Sequence, residues 1–207
     1  MSSDIKAKTF LNSLSASTAA IAALQTTSGT AAMTLTAAAG TGAFHATDQA
    51  AKVTLTSGGN ISGVTITLTG TDIAGNTLTE DIAGPNANTV TSTKFYDTIT
   101  SVAGDGSIGT NTSIGVAAGT TGGQAKINSE RTRLKGIHAT TGGTIGDMTF
   151  YNTSPISGTS LFSLKSATTT KDYIDPYIPD DGILFTGGAY IDLPAGTAVS
   201  FTVFFDG

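Results

Sequence analysis

The sequence predicts an all-β protein: two tandem, related antiparallel β-sandwich domains behind an N-terminal helix or arm. Three observations carry that expectation. Several segments alternate strictly between apolar and polar residues, glycine-rich turn signals separate them, and the two halves of the chain repeat one another.

The first element departs from the pattern. Across residues 5–25, Phe10, Leu11, Leu14, Ile21 and Leu24 fall at roughly helical spacing, and Ala16, Ala19, Ala20, Ala22 and Ala23 favour a helix. So thin an apolar stripe needs a surface to lie on. Phe10, Leu14, Ile21 and Leu24 are therefore candidate contacts, with the chain's own domain or with a neighbouring subunit. Its polar middle (Asn12, Ser13, Ser15, Ser17, Thr18) argues against a signal peptide. Residues 1–29 form this arm and the start of a linker, and the Thr-, Ala- and Gly-rich stretch to Ala51 holds a first strand near Met33–Thr36.

From there the period is two. Val53 and Leu55 alternate with Thr54 and Thr56. Val64, Ile66 and Leu68 alternate with Thr65, Thr67 and Thr69. Val199, Phe201, Val203 and Phe205 alternate with Ser200, Thr202 and Phe204. A strand of this kind has one buried and one wet face, as antiparallel sheets require. Gly58-Gly59, Gly75-Asn76, Gly142-Gly143 and Gly187-Gly188 sit where hairpin turns belong.

Four blocks recur in the same order, offset by 77–87 residues. Thr56–Ile66 resembles Thr140–Phe150, and Ile73–Leu78 resembles Ile156–Leu161. Thr91–Tyr96 resembles Thr168–Tyr173, and Gly109–Val116 resembles Gly196–Val203. Matched glycines fall at turns and matched apolar residues on strands, as a physical duplicate preserves them. The expected domains are 30–118 and 130–207, with 119–129 as a Gly-rich junction.

Composition narrows the function. Thr, Ser and Gly make up 84 of 207 residues, whereas Leu, Ile, Val and Phe total 45. That supply of bulky side chains suits two lean cores better than one large one. The absence of Cys excludes disulfides, thiol nucleophiles and Cys-ligated metal. A net charge of −5 spread along the chain argues against nucleic acid, and no apolar run is long enough to cross a membrane as a helix.

Candidate chemistry is sparse. His45 and His138 lie in no metal-ligand or nucleophile motif. Asp172, Asp175, Asp180 and Asp181 are interleaved with Tyr and Pro, which reads as a solvated acidic loop, and Glu80-Asp81 reads as surface charge. Lys126, Arg131, Arg133 and Lys135 form the one basic cluster, either a contact for an acidic partner protein or a wet strand face. No catalytic, cofactor-binding or metal-binding residue is expected.

The run Ile66–Asp81, of the form TGTDxxGNxLTE, is followed by Thr93-Lys94-Phe95-Tyr96 and Ser101-Val102. It resembles a segment common in virion structural proteins of tailed bacteriophages, marine ones in particular. The second half is similar to another phage-associated pattern, around Leu134–Ile137, Met148–Tyr151, Gly182–Phe185 and Gly188–Leu193, closing with Val199–Phe205. The resemblance covers roughly residues 55–207. It implies a non-enzymatic capsid or tail component present in many copies, and carries over no functional residues.

The leading expectation is a capsid decoration or cement protein, assembled in the host cytoplasm, that joins adjacent capsid subunits as a homo-oligomer such as a trimer. Its partners would be itself, the major capsid protein or other virion proteins, without nucleic acid or membrane. A tail, neck or fibre component is the second expectation. A carbohydrate-binding surface module, using Tyr173 and Tyr177, is the third.

Overall fold

The computed structural model describes residues 4–11, 21–35, 48–108, 114–118, 123–141, 146–153, 156, 159–165, 173–193 and 199–207. Among these residues there is no helix, and the chain is all-β with several antiparallel sheets. The strands are β1 (Lys6–Leu11), β2 (Ala22–Gln25), β3 (Gln49–Ser57), β4 (Thr65–Thr71), β5 (Thr77–Ala83), β6 (Thr89–Tyr96), β7 (Thr98–Gly104) and β8 (Ile114–Ala118). They continue with β9 (Gly123–Asn128), β10 (Thr132–Thr141), β11 (Met148–Tyr151), β12 (Phe162–Leu164), β13 (Tyr173–Ile174), β14 (Ile183–Phe185), β15 (Ala189–Leu193) and β16 (Val199–Asp206).

The chain divides into a continuous unit, Leu14–Thr120, and a split unit made of Met1–Ser13 and Thr121–Gly207. In the continuous unit β2, β8, β3 and β6 lie side by side in that order. A second sheet runs β5-β4-β7, and Ala32 bridges to Ala103 of β7. Val53 and Leu55 from the first sheet, and Ile66, Leu68, Ile99 and Val102 from the second, fill one core with Ile21, Met33 and Tyr96.

In the split unit one sheet runs β1-β16-β10-β13, with β14 also on β10. The other runs β12-β11-β15-β9. Their inner faces share a core rich in phenylalanine: Phe10, Phe150, Phe185, Phe201 and Phe205. Phe162 stacks on Phe150 with ring centroids 4.3 Å apart and planes 8° apart.

The two strand orders correspond. β2, β8, β3 and β6 stand to one another as β1, β16, β10 and β13 do. β5, β4 and β7 stand as β12, β11 and β15 do, and the Ala32 bridge takes the place of β9. The order corresponds more closely than the register. Thr56 faces Gly115, whereas Thr140, its counterpart in the sequence blocks, faces Ser200, two places from Thr202. A shift of two keeps every side chain on its face, whereas a shift of one would reverse the sheet.

The helix expected over residues 5–25 is corrected by β1 and β2. Alanine's helix propensity is a weak preference, and here the outer edges of β16 and β8 offer whole rows of backbone partners. Residues 12–20 lie outside the described residues. Of the strand expected near Met33–Thr36, the described residues 33–35 form no strand: beside the Ala32 bridge, the Met33 N–H donates to the Val102 carbonyl at 2.8 Å, and the Gln25 side chain bonds both the N–H and the carbonyl of Thr34. Within the segment expected as a junction, Gly123–Asn128 forms β9 and buries Ala125 and Ile127.

Of the glycine pairs, Gly75-Asn76 alone closes a described hairpin, between β4 and β5. Gly58-Gly59 and Gly187-Gly188 instead sit where the chain leaves one sheet for the other. Gly142-Gly143 lie outside the described residues.

Candidate interaction surfaces and charged clusters

The motif at Ile66–Asp81 is the hairpin β4–β5 with its attachments. Asp72, only 8% exposed, closes the turn: its Oδ1 accepts the backbone N–H groups of Ala74 and Asn76, each at 2.9 Å. Asn76 Nδ2 donates to Asp72 Oδ2 at 3.0 Å. Gly75 takes φ +87°, where a side chain would strain the backbone. Gly70 sits where the register against β7 slips by one residue, and a Cβ there would collide with the Thr98 carbonyl oxygen.

Glu80 was expected at the surface, but its register partner is the core residue Leu68, so its carboxylate turns inward from β5. Oε1 accepts the Thr93 N–H at 2.7 Å and the Thr93 hydroxyl at 2.8 Å, and Oε2 accepts the Lys94 N–H at 3.2 Å. One carboxylate thus ties β5 of one sheet to β6 of the other. Tyr96 is fully buried nearby, and among the described residues its hydroxyl has no partner within hydrogen-bond geometry. Burial first, and the negative Glu80 second, push its phenol well above the ordinary value. Ser92 repairs the register slip between β3 and β6: its Oγ accepts the Val53 N–H and donates to the Lys94 carbonyl, both at 2.8 Å.

The structure separates the basic cluster. Lys126 is on β9, in a different sheet from β10, which carries Arg133 and Lys135; Arg131 is exposed just before β10. The register slip between Leu134 and Gly136 makes Lys135 the extra residue of a bulge. Arg133 Nη1 donates to the Asp181 carbonyl at 2.9 Å and Lys135 Nζ to the Asp180 carbonyl at 3.1 Å. Lys135 also lies 3.5 Å from Asp206 Oδ2, and Asp206 Oδ1 accepts the Arg133 N–H at 3.1 Å. The basic strand and the acidic loop, read separately in the sequence, are in large part each other's partners. Asp172 lies outside the described residues and Asp175 is exposed.

Among the apolar candidates, Phe10 and Ile21 are spent on the chain's own cores, at 1% and 0% exposure. Leu24 is exposed on β2, and Leu14 lies outside the described residues. Lys6 and Lys8 share the inward face of edge strand β1 with Phe10; Lys6 Nζ donates to the Gly207 carbonyl, and Lys8 Nζ to the Lys126 carbonyl at 3.4 Å. Inward-pointing charge on an edge strand discourages indiscriminate pairing.

Four exposed apolar residues were missed as contacts: Ile5, Leu11, Leu161 and Phe204. Leu11 is 47% exposed and Phe204 is 38% exposed. Both lie on the outer face of the β1-β16-β10 sheet, and Phe204 lies across Gly136. Phe204 carries a visible signal, a phenylalanine in the wet register of an alternating strand. His138 is exposed on the same face, and His45 lies outside the described residues. Among the described residues no group of three or more His, Asp or Glu could hold a metal ion.

Comparison with family models, with curated proteins and with solved structures returns no match.

Proposed function

We propose that this chain is a non-enzymatic virion structural protein of a tailed bacteriophage, built of two related β-sandwiches, which decorates the capsid and holds adjacent capsid subunits together. The observation that carries the reading is how the TGTDxxGNxLTE residues are used. Asp72, Gly75 and Asn76 build a turn, Gly70 permits a bulge, and Glu80 clamps two sheets. The motif that resembles a segment of phage virion proteins acts here as a scaffold device, which supports a protein whose work is to hold a shape.

The surface supports the same reading. Threonines opposite one another bond across strands, Thr56 with Thr89 at 2.7 Å and Thr9 with Thr202 at 2.9 Å. Such side chains are stiff at χ1, so packing them against a neighbour costs little entropy. Two lean cores gain stability from neighbours by mass action, which favours a homo-oligomer.

Copy number tests the proposal. A decoration protein is present in hundreds of copies on purified virions and stays on tail-free heads. Loss of the protein from tail-free heads contradicts decoration; a count near that of a single ring or spike favours a tail or neck component.

A further inference from the structure

The two units share a strand order but differ in one connection. In the continuous unit six residues separate the first strand, β2, from the Ala32 bridge. In the split unit the same step, from β1 to β9, spans residues 12–122 and contains the whole continuous unit. One unit is thus inserted into a single connection of the other. Such insertions are tolerated where the two ends of the inserted unit lie close together.

Here the two ends are neighbours. β2 and β8 pair antiparallel, and Ala22 at the start of one faces Val116 near the end of the other. Partners in such a ladder have Cα atoms about 5 Å apart. Ten residues join β1 to β2 and four join β8 to β9. With the continuous unit folded, β1 therefore closes over a tether of 14 residues when it docks. With that unit unfolded, the tether becomes 111 residues.

β1 has little else to hold it. It is a strand of six residues at the edge of its sheet, and among the described strands it pairs with β16 alone. Phe10 is its one buried side chain. A segment with so small a contact stays bound because its tether keeps its effective concentration high.

We propose that the continuous unit is a clip: its folding keeps β1 on β16, and its opening releases β1 ahead of the rest of the split unit. The entropic cost of closing a loop grows as three halves of the logarithm of its length. Lengthening the tether from 14 to 111 residues therefore weakens the docking of β1 by about twentyfold. Release bares the outer edge of β16, a row of backbone groups open to a strand from another chain. The folded clip keeps that edge covered.

Native-state hydrogen exchange on the full chain tests the coupling with two variants. Inserting about forty Gly and Ser residues between Ser15 and Ala16 lengthens the tether about fourfold and alters no strand. The amides of β1 should then exchange about eightfold faster, while those of β3, β4, β11 and β15 keep the rates of the natural chain. Leu55→Ala removes a fully buried side chain from the core of the continuous unit. At the denaturant concentration that unfolds this unit in the variant, β1 should exchange about twentyfold faster than in the natural chain, with β11 and β15 still protected. Unchanged exchange of β1 in the insertion variant overturns the proposal, whatever Leu55→Ala does. Protection of β1 that survives unfolding of the continuous unit overturns it equally. Virion copy number does not bear on either result, so this coupling and the virion reading stand or fall separately.

Discussion

The continuous and split units arrange their strands in the same order and fill them differently. One core is aliphatic around a single tyrosine, Tyr96, and the other is built on five buried phenylalanines. Backbone pairing and period-two alternation therefore specify the order, and the fill is free to differ if each core closes on itself. The units differ also in covalent continuity. The continuous unit takes its first strand, β2, from its own stretch of chain, whereas β1 of the split unit precedes the whole continuous unit in sequence.

The largest break in this comparison comes from β1. Phe10 lies 6.1 Å from Phe201, centroid to centroid, and is its strand's one buried residue. Phe10→Ala should cost the split unit about 3–5 kcal/mol. Hydrogen exchange checks it: protection falls in β16 and β10 and is kept in β3 and β4.

Alkali should act on the other unit. Tyr96 is the continuous unit's only tyrosine, and its phenol titrates above the ordinary value in the folded chain. Its contribution to stability is complete below about pH 10, where the unfolded phenol titrates. It is lost as pH rises from there towards the folded value, at about 1.4 kcal/mol per pH unit, because the unfolded chain gives up the proton first. Denaturant titrations at rising pH should show this slope, and Tyr96→Phe should remove it.

A smaller effect is expected at Glu80. Glu80→Ala removes three hydrogen bonds to a charged acceptor, but Thr93 and Lys94 are exposed and water can replace it. The cost should be about 1–2 kcal/mol, read as a lower denaturation midpoint, with exchange rising first in β5 and β6. Lys135→Met should change stability least, by about 1 kcal/mol or less, since its ion pair with Asp206 is long and partly exposed.

The sequence made some of this legible and concealed the rest for physical reasons. The strands containing 53–56, 65–69 and 199–205 were visible because each is long enough to show its period. β12, β13 and β14, of three, two and three residues, are too short to show one. Phe10 and Ile21 sit in a stretch that suits a helix or an edge strand equally, and distant β16 and β8 decide between them. The basic cluster was visible by spacing, but its partners at Asp180 and Asp181 lie 45 and 48 residues away along the chain. Glu80 was misplaced because β5 keeps its alternation while putting a carboxylate on the inward face.

The pairing of β1 with β16 is the feature on which the split unit stands, and a disulfide tests it most directly. Thr9 and Thr202 face each other with their hydroxyl oxygens 2.9 Å apart, and the chain contains no other thiol to compete. In the double variant Thr9→Cys, Thr202→Cys, mild oxidation should close an intramolecular bond within the monomer, seen by intact mass and by faster migration on a non-reducing gel. Two free thiols after oxidation, or a bond found only between copies, would contradict β1 as the first strand of its own chain's split unit.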